Sequence, residues 1–146
     1  MGPRVRAVHR GRAGVGAARS IRPLTLDAGA LLAYERNDRA VRERIRSALD
    51  AGMDVMVPAG ALAQVWRDGR RQVSLGRLLK ERQVHVADLD ENAAKDSGEL
   101  CRRTGTRDVI DASVVVCARG QRGGVVLTGD SADIRHLDGR LEVQRV

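Results

Sequence analysis

Apolar and polar positions follow two rhythms along the chain. Short apolar or alternating runs at Leu24-Thr25-Leu26, Asp54-Val55-Met56-Val57, Val84-His85-Val86, Val125-Val126-Leu127 and Leu141-Glu142-Val143-Gln144 predict strands. Helical spacing fills the intervals. Ala28 to Glu35 is apolar and helix-favouring, and Asn37-Asp38 interrupts or re-caps it. Val41, Ile45, Ala48 and Leu49 form one face of the next helix, with arginines and Glu43 opposite, and Ala51-Gly52 closes it. Pro58 stops the second strand, and Ala59 to Arg67 is helical until Asp68-Gly69. Ser74 to Arg82 turns Leu75, Leu78 and Leu79 inward.

Asp88 or Asp90 caps a helix from about Glu91 to Arg103, broken at Thr104-Gly105-Thr106. Its apolar stripe of Ala93, Ala94, Ser97, Leu100 and Cys101 places Cys101 in the core. Val109 to Ala118 is almost continuously apolar; its length and the Gly120–Gly124 turn after it favour a buried helix over a strand. Ser131 to Leu137 makes a last short helix. Strands alternating with helices imply βαβ units and a mostly parallel sheet of about five strands, covered on both faces as an α/β/α sandwich.

Charge divides the chain in two. The 146 residues carry a net charge of +7, but residues 1–22 hold six arginines and no acid, so residues 23–146 are close to neutral. The expected organisation is a basic, flexible N-terminal extension over 1–22 and one domain over 23–146. Such an arm suits nucleic acid or an anionic surface, and is equally the composition of a plain disordered leader. Gly14 to Ala18 is too short and too weakly apolar for a secretion signal, and no run approaches the roughly 18 apolar residues of a membrane span. A cytoplasmic protein with reduced Cys101 and Cys117 is the expectation, and the two cysteines form no zinc motif. Tyr34 and Trp66 are the only aromatic residues, which disfavours base stacking and leaves Trp66 to the core or an interface. His85 and His136 have no evident partner in the sequence.

The candidate chemistry lies in the acids. Asp27 and Asp130 each follow a strand and open a helix, and the carboxyl ends of parallel strands share one rim. Asp111 falls inside the apolar Val109–Ala118 stretch, where an unpaired charge is costly, and Asp108 precedes it on the same face. Asp133 is a further acid near Asp130. Each of Asp27, Asp108 and Asp130 is also a natural helix cap. Carboxylates gathered without His or Cys suit a hard cation, Mg²⁺ or Mn²⁺, and metal-assisted phosphodiester hydrolysis. No Ser-His-Asp order, phosphate-binding loop or dinucleotide fingerprint competes.

The stretches Leu26–Leu31, Val57–Ala59 through Ala63–Arg67, Asp108–Ala112 and Leu127–Asp130 together resemble the PIN-domain family, and more closely its VapC-type toxin ribonucleases, over about 23–146. The resemblance implies a PIN-like α/β/α sandwich, a homodimer, a cognate antitoxin, and structured RNA such as transfer or ribosomal RNA as substrate. It matches Asp27, Asp111 and Asp130 to the Mg²⁺-holding acids, with Asp108 beside them, and Thr128 to a small hydroxyl residue near the site. Where the family commonly has a glutamate in the helix after the second strand, this chain has Gln64, which keeps an oxygen but loses the charge. Glu35 and Asp108 are the candidates to supply the missing carboxylate. Arg67, Arg70, Arg71 and Arg107 are candidate phosphate contacts.

The alternative is a non-catalytic PIN-like RNA- or antitoxin-binding protein, with Gln64 marking a degraded site. A response-regulator receiver also gathers acids around Mg²⁺, but it needs a paired acid after the first strand and a lysine after a late one. Here Asp27 is single, and Lys80 and Lys95 lie elsewhere.

Overall fold

Every residue of β1 (Leu24–Leu26), β2 (Val55–Pro58) and β4 (Val125–Thr128) is buried, although side chains alternate between the two faces of a strand. Strands buried on both faces need helices on both sides, so the sheet is the middle layer of an α/β/α sandwich. With β3 (Val84–Ala87) and β5 (Val143–Arg145) the order is β3-β2-β1-β4-β5, and every neighbouring pair is parallel. The computed structural model describes residues 22–120 and 124–146. The expected extension, Arg22 apart, and positions 121–123 of the expected turn fall outside them.

Among the described residues seven helices connect and cover the strands: α1 (Ala28–Glu35), α2 (Arg39–Asp50), α3 (Ala59–Val65), α4 (Val73–Leu79), α5 (Glu91–Thr104), α6 (Val109–Arg119) and α7 (Ser131–Leu137). Five of them start on an aspartate. The carboxylates of Asp27, Asp38, Asp90, Asp108 and Asp130 accept the amides of Ala30, Val41, Ala93, Asp111 and Asp133, which satisfies one orphan N–H in each first turn. Of the two candidate caps before α5, it is Asp90 that serves. At the other end of α5, Gly105 takes a left-handed conformation with φ 77°.

Val109–Arg119 is a helix, and it lies against β1, β2 and β4 while packing on α3, α5 and α7. Its Ala112, Val114, Val115 and Ala118 are buried, as are Val41, Ile45, Ala48 and Leu49 of α2 and Cys101 of α5. Trp66 packs partly buried against this core. His85 lies 3.1 Å from Asp54, and exposed His136 meets the Thr104 carbonyl at 2.8 Å. Among the described residues no helix is long and apolar enough to cross a membrane.

Three boundaries differ from the sequence expectation by two residues or more. α3 stops at Val65 instead of Arg67, because Trp66 turns extended (φ −75°, ψ 128°) and the Arg67 and Asp68 amides go to the Gln72 side chain. α4 stops at Leu79 instead of Arg82, its end tightened by three-residue turn bonds from Lys80 to Arg77 and Glu81 to Leu78. β5 starts at Val143 instead of Leu141, whose amide still belongs to the turn closed on the Asp138 carbonyl.

The chain runs outward from β1 to β3 in one direction and then returns to β4 and β5 on the other side of β1. The strand order therefore reverses between β1 and β4. Crevices form at the carboxyl ends of strands at such a reversal.

Candidate active site

Asp27 follows β1, and Thr128 ends β4 with Gly129-Asp130 after it, so both sides of that crevice carry polar groups. Asp27 is only 4% exposed. Its Oδ1 accepts the Ala30 amide at 2.8 Å, the Gly129 amide lies 3.3 and 3.2 Å from Oδ1 and Oδ2, and Oδ2 also accepts the Thr128 hydroxyl. Burial pushes the Asp27 carboxyl above its ordinary value; the Thr128 hydroxyl and the Ala30, Gly129 and Gly29 amides offset only part of this. The Thr128 oxygen in turn accepts the Asp130 amide at 2.8 Å. One buried hydroxyl thus joins the two strand ends.

Backbone reaches backbone at the same place. A Cβ on Gly29 would lie 2.9 Å from the Gly129 Cα and 3.4 Å from Asp27 Oδ1, and one on Gly129 would lie 3.2 Å from the Gly29 Cα. The first turn of α1 and the turn after β4 can approach this closely only because both positions lack a side chain. Neither glycine stands out in the sequence as a site residue. The usable signal is their placement, one two residues after Asp27 and the other immediately before Asp130.

The amino end of α6 brings the remaining acids. Asp108 caps the helix, its Oδ1 accepting the Asp111 amide at 2.9 Å, and Asp111 is half-buried in the first turn. The Asp111 carboxyl is pushed up to about 7, by burial first, then by Asp108, Asp27 and Asp133. Asp27, Asp108, Asp111 and Asp133 therefore share one field. Asp130 is exposed and caps α7 through the Asp133 amide at 3.2 Å, so it borders the cluster through Thr128 and its own helix.

The other candidate residues sit on α1, on α3 and in the loops after α3 and before α6. Gln64 is exposed in the last turn of α3. Glu35 ends α1, opposite the end that Asp27 caps, and its Oε1 accepts the Gln72 side-chain amide at 2.8 Å. The Arg67 guanidinium closes α3 on the Ala63 and Trp66 carbonyls, at 3.2 and 2.7 Å. Arg70, Arg71 and Arg107 are exposed. Gln72, 4% exposed at the head of α4, carries no sequence signal of its own.

This donor set is all oxygen, and its acids raise one another, which fits a hard divalent cation. Among the described residues no three His, Cys, Asp or Glu side chains close around one point. Mg²⁺ tolerates this, because it keeps several waters and takes only one or two carboxylates from a protein. Asp27 and Asp111 are the two acids of the set that burial raises.

Neither a family model nor a curated protein sequence matches the chain. Solved structures match it by fold. A chain of VapBC2 from Rickettsia felis, bound to a DNA fragment from their promoter, superposes with a TM-score of 0.63 at 11% identity, covering 85% of this chain and 98% of that one. DNA-bound VapBC from Salmonella typhimurium gives 0.61 at 18% identity, covering 86% and 98%. FitAcB from Neisseria gonorrhoeae gives 0.52 at 19%, covering 82% and 95%. The fold is thus the PIN-like sandwich that the motifs imply.

Proposed function

We propose that the chain is a metal-dependent endoribonuclease of the VapC type, the toxin of a two-protein system, acting on structured RNA such as transfer or ribosomal RNA. The observation that carries this reading is the gathering of acids at the β1–β4 strand reversal: buried Asp27 tied to Asp130 through Thr128, and half-buried Asp111 in the field of Asp108, Asp27 and Asp133. Such a cluster of acids favours a cation. Asp27 and Asp111 would hold Mg²⁺ or Mn²⁺, with Asp130 and Asp108 at its edge. A cation bound there supplies Lewis-acid activation of water and offsets charge on the phosphodiester.

The chain's own residues do the positioning. Thr128 and the Gly129 amide orient Asp27, and the helix caps hold Asp108 and Asp130. Arg67, Arg70, Arg71 and Arg107 neutralise RNA phosphates flanking the acids. The fold neighbours come from VapBC and FitAB complexes, which supports a cognate antitoxin for this chain as well; a homodimer and a cytoplasmic setting are part of the same proposal.

A second reading, a non-catalytic PIN-like binder, is favoured by the neutral Gln64 and by the absence of a closed three-acid shell among the described residues. One experiment separates the two. Purified protein is incubated with total cellular RNA in Mg²⁺, Mn²⁺ or EDTA, beside Asp27→Asn and Asp111→Asn. Discrete fragments that need metal and vanish in both variants support the nuclease. No cleavage by wild type, with cleavage gained in Gln64→Glu, marks a disabled enzyme.

A further inference from the structure

Gln72 is a buried polar side chain with every hydrogen-bonding capacity used. Its Oε1 accepts the Arg67 amide at 2.7 Å and the Asp68 amide at 3.0 Å. Its Nε2 donates to the Val65 carbonyl at 2.9 Å and to the Glu35 carboxylate at 2.8 Å. These partners are the end of α3, the loop after it and the end of α1.

The loop is also ordered from within. Asp68 Oδ1 accepts the Arg70 amide, and the Asp68 carbonyl accepts the Arg71 and Gln72 amides, all at 3.0 Å. The Trp66 ring lies so close to Gly69 that a Cβ there would be 3.1 Å from Cζ2. On this frame stand Arg71, Arg67, whose Nη1 also closes α3, and Arg70, whose side chain is 93% exposed. Asp68, the one acid between Trp66 and Gln72, accepts the Arg70 amide and lies 3.5 Å from the Arg70 guanidinium, an exposed pair that a phosphate can displace.

We infer that Gln72 is a positioning residue that holds the 66–71 loop as a grip for the anionic backbone of RNA. The inference rests on the nuclease reading above and names how that substrate is held. Guanidinium forks match phosphate oxygens, and a loop already in its bound shape loses less entropy on binding. The bond to Glu35 adds a geometric element that a purely local loop brace would not need. It fixes the loop to one end of α1, whose other end is capped by Asp27. The helix of eight residues is about 12 Å long, so the grip stands a few nucleotides of backbone away from the acids.

The test is binding of a fluorescein-labelled stem-loop RNA, read by anisotropy across a salt series in EDTA, so that cleavage plays no part. Arg70→Ala/Arg71→Ala should lower the slope of log affinity against log salt by about 1.5. Gln72→Ala should weaken binding about fivefold or more and lower the slope similarly, with Mn²⁺ affinity at the acids within about twofold of wild type. Glu35→Gln keeps an oxygen acceptor for the Gln72 amide and should stay within about twofold of wild type in RNA affinity. If Gln72→Ala does not fold, the arginine pair and Glu35→Ala, which removes the bond from α1 to the loop frame, carry the test.

Unchanged RNA affinity and slope in the folded variants would overturn the proposal and assign the loop to a protein partner or to the fold alone. Loss of Mn²⁺ affinity in parallel with RNA affinity would overturn it too. Wild type that binds RNA through the loop but never cleaves sinks the nuclease reading and leaves the grip standing. Cleavage by wild type with normal RNA binding by Gln72→Ala sinks the grip alone.

Discussion

The Thr128 hydroxyl donates to Oδ2 of Asp27 across the seam between β4 and β1, and both residues are buried. The same oxygen accepts the Asp130 amide, so one side chain sets the relation of two candidate acids that lie far apart in sequence. Thr128→Val keeps the shape and strands a buried carboxylate oxygen and an amide. Losing a bond to a charged group costs about 1.5–3 kcal/mol, so urea denaturation should show a drop of that order. Thr128→Ser should stay within about 1 kcal/mol of wild type, since the hydroxyl is kept and only a methyl is lost.

The Gly29–Gly129 contact makes opposite predictions for two helical glycines. Gly98, on the exposed face of α5, has nothing within 4 Å of an added Cβ, so Gly98→Ala should stabilise by about 0.5–1 kcal/mol through helix propensity. Gly29→Ala gains the same propensity but drives its methyl into the Gly129 backbone at 2.9 Å. Thermal melts should show a net loss for Gly29→Ala, together with weaker divalent-cation binding, because the clash also presses on Asp27.

Much of this architecture is legible along the chain, for a local reason. Short β-branched runs followed by an aspartate and a helical stripe are complete signals within about ten residues, so α6, its Asp108 cap and the strand-end acids can be read directly. What escapes depends on distant partners. α3 ends early because Gln72 takes amides that a helix would otherwise use. Glu35 looks available to a metal until Gln72, 37 residues on, claims its carboxylate. The two glycines meet only because β1 and β4 are neighbours in the sheet, and no periodicity encodes that pairing.

The acid cluster should cost stability when no metal is present. Asp111 titrates near 7 in the folded chain against an ordinary value of 3.8, so between these values the folded state holds a proton that the unfolded state has lost. Stability contributed by this group therefore falls as pH rises through that window and is level above it. In EDTA at pH 8, Asp111→Asn should melt higher than wild type. At pH 5 the difference should shrink, because wild-type Asp111 is already largely protonated. A lower melting temperature for Asp111→Asn at pH 8 would contradict the repulsion.

Asp138 gives the opposite dependence. Burial would raise its carboxyl, but the Arg119 guanidinium at 2.8 Å, with the Arg140 amide at 2.9 Å, holds it below 3.8. Its contribution is complete above the ordinary carboxylate value and is lost as pH falls through the depressed one. Arg119→Met should destabilise by about 1–3 kcal/mol at pH 7, with the gap closing in acid denaturation as Asp138 takes up its proton.

In the proposed site Asp27 and Asp111 together hold a divalent cation. Titration of Mn²⁺ into the metal-free protein, followed by loss of the free-ion electron paramagnetic resonance signal, tests it without depending on any RNA. Wild type should bind Mn²⁺ in competition with Mg²⁺, and Asp27→Asn and Asp111→Asn should each weaken binding about tenfold or more, as expected when a carboxylate ligand loses its charge. Binding that is equal in all three proteins, or absent from wild type, would contradict the account.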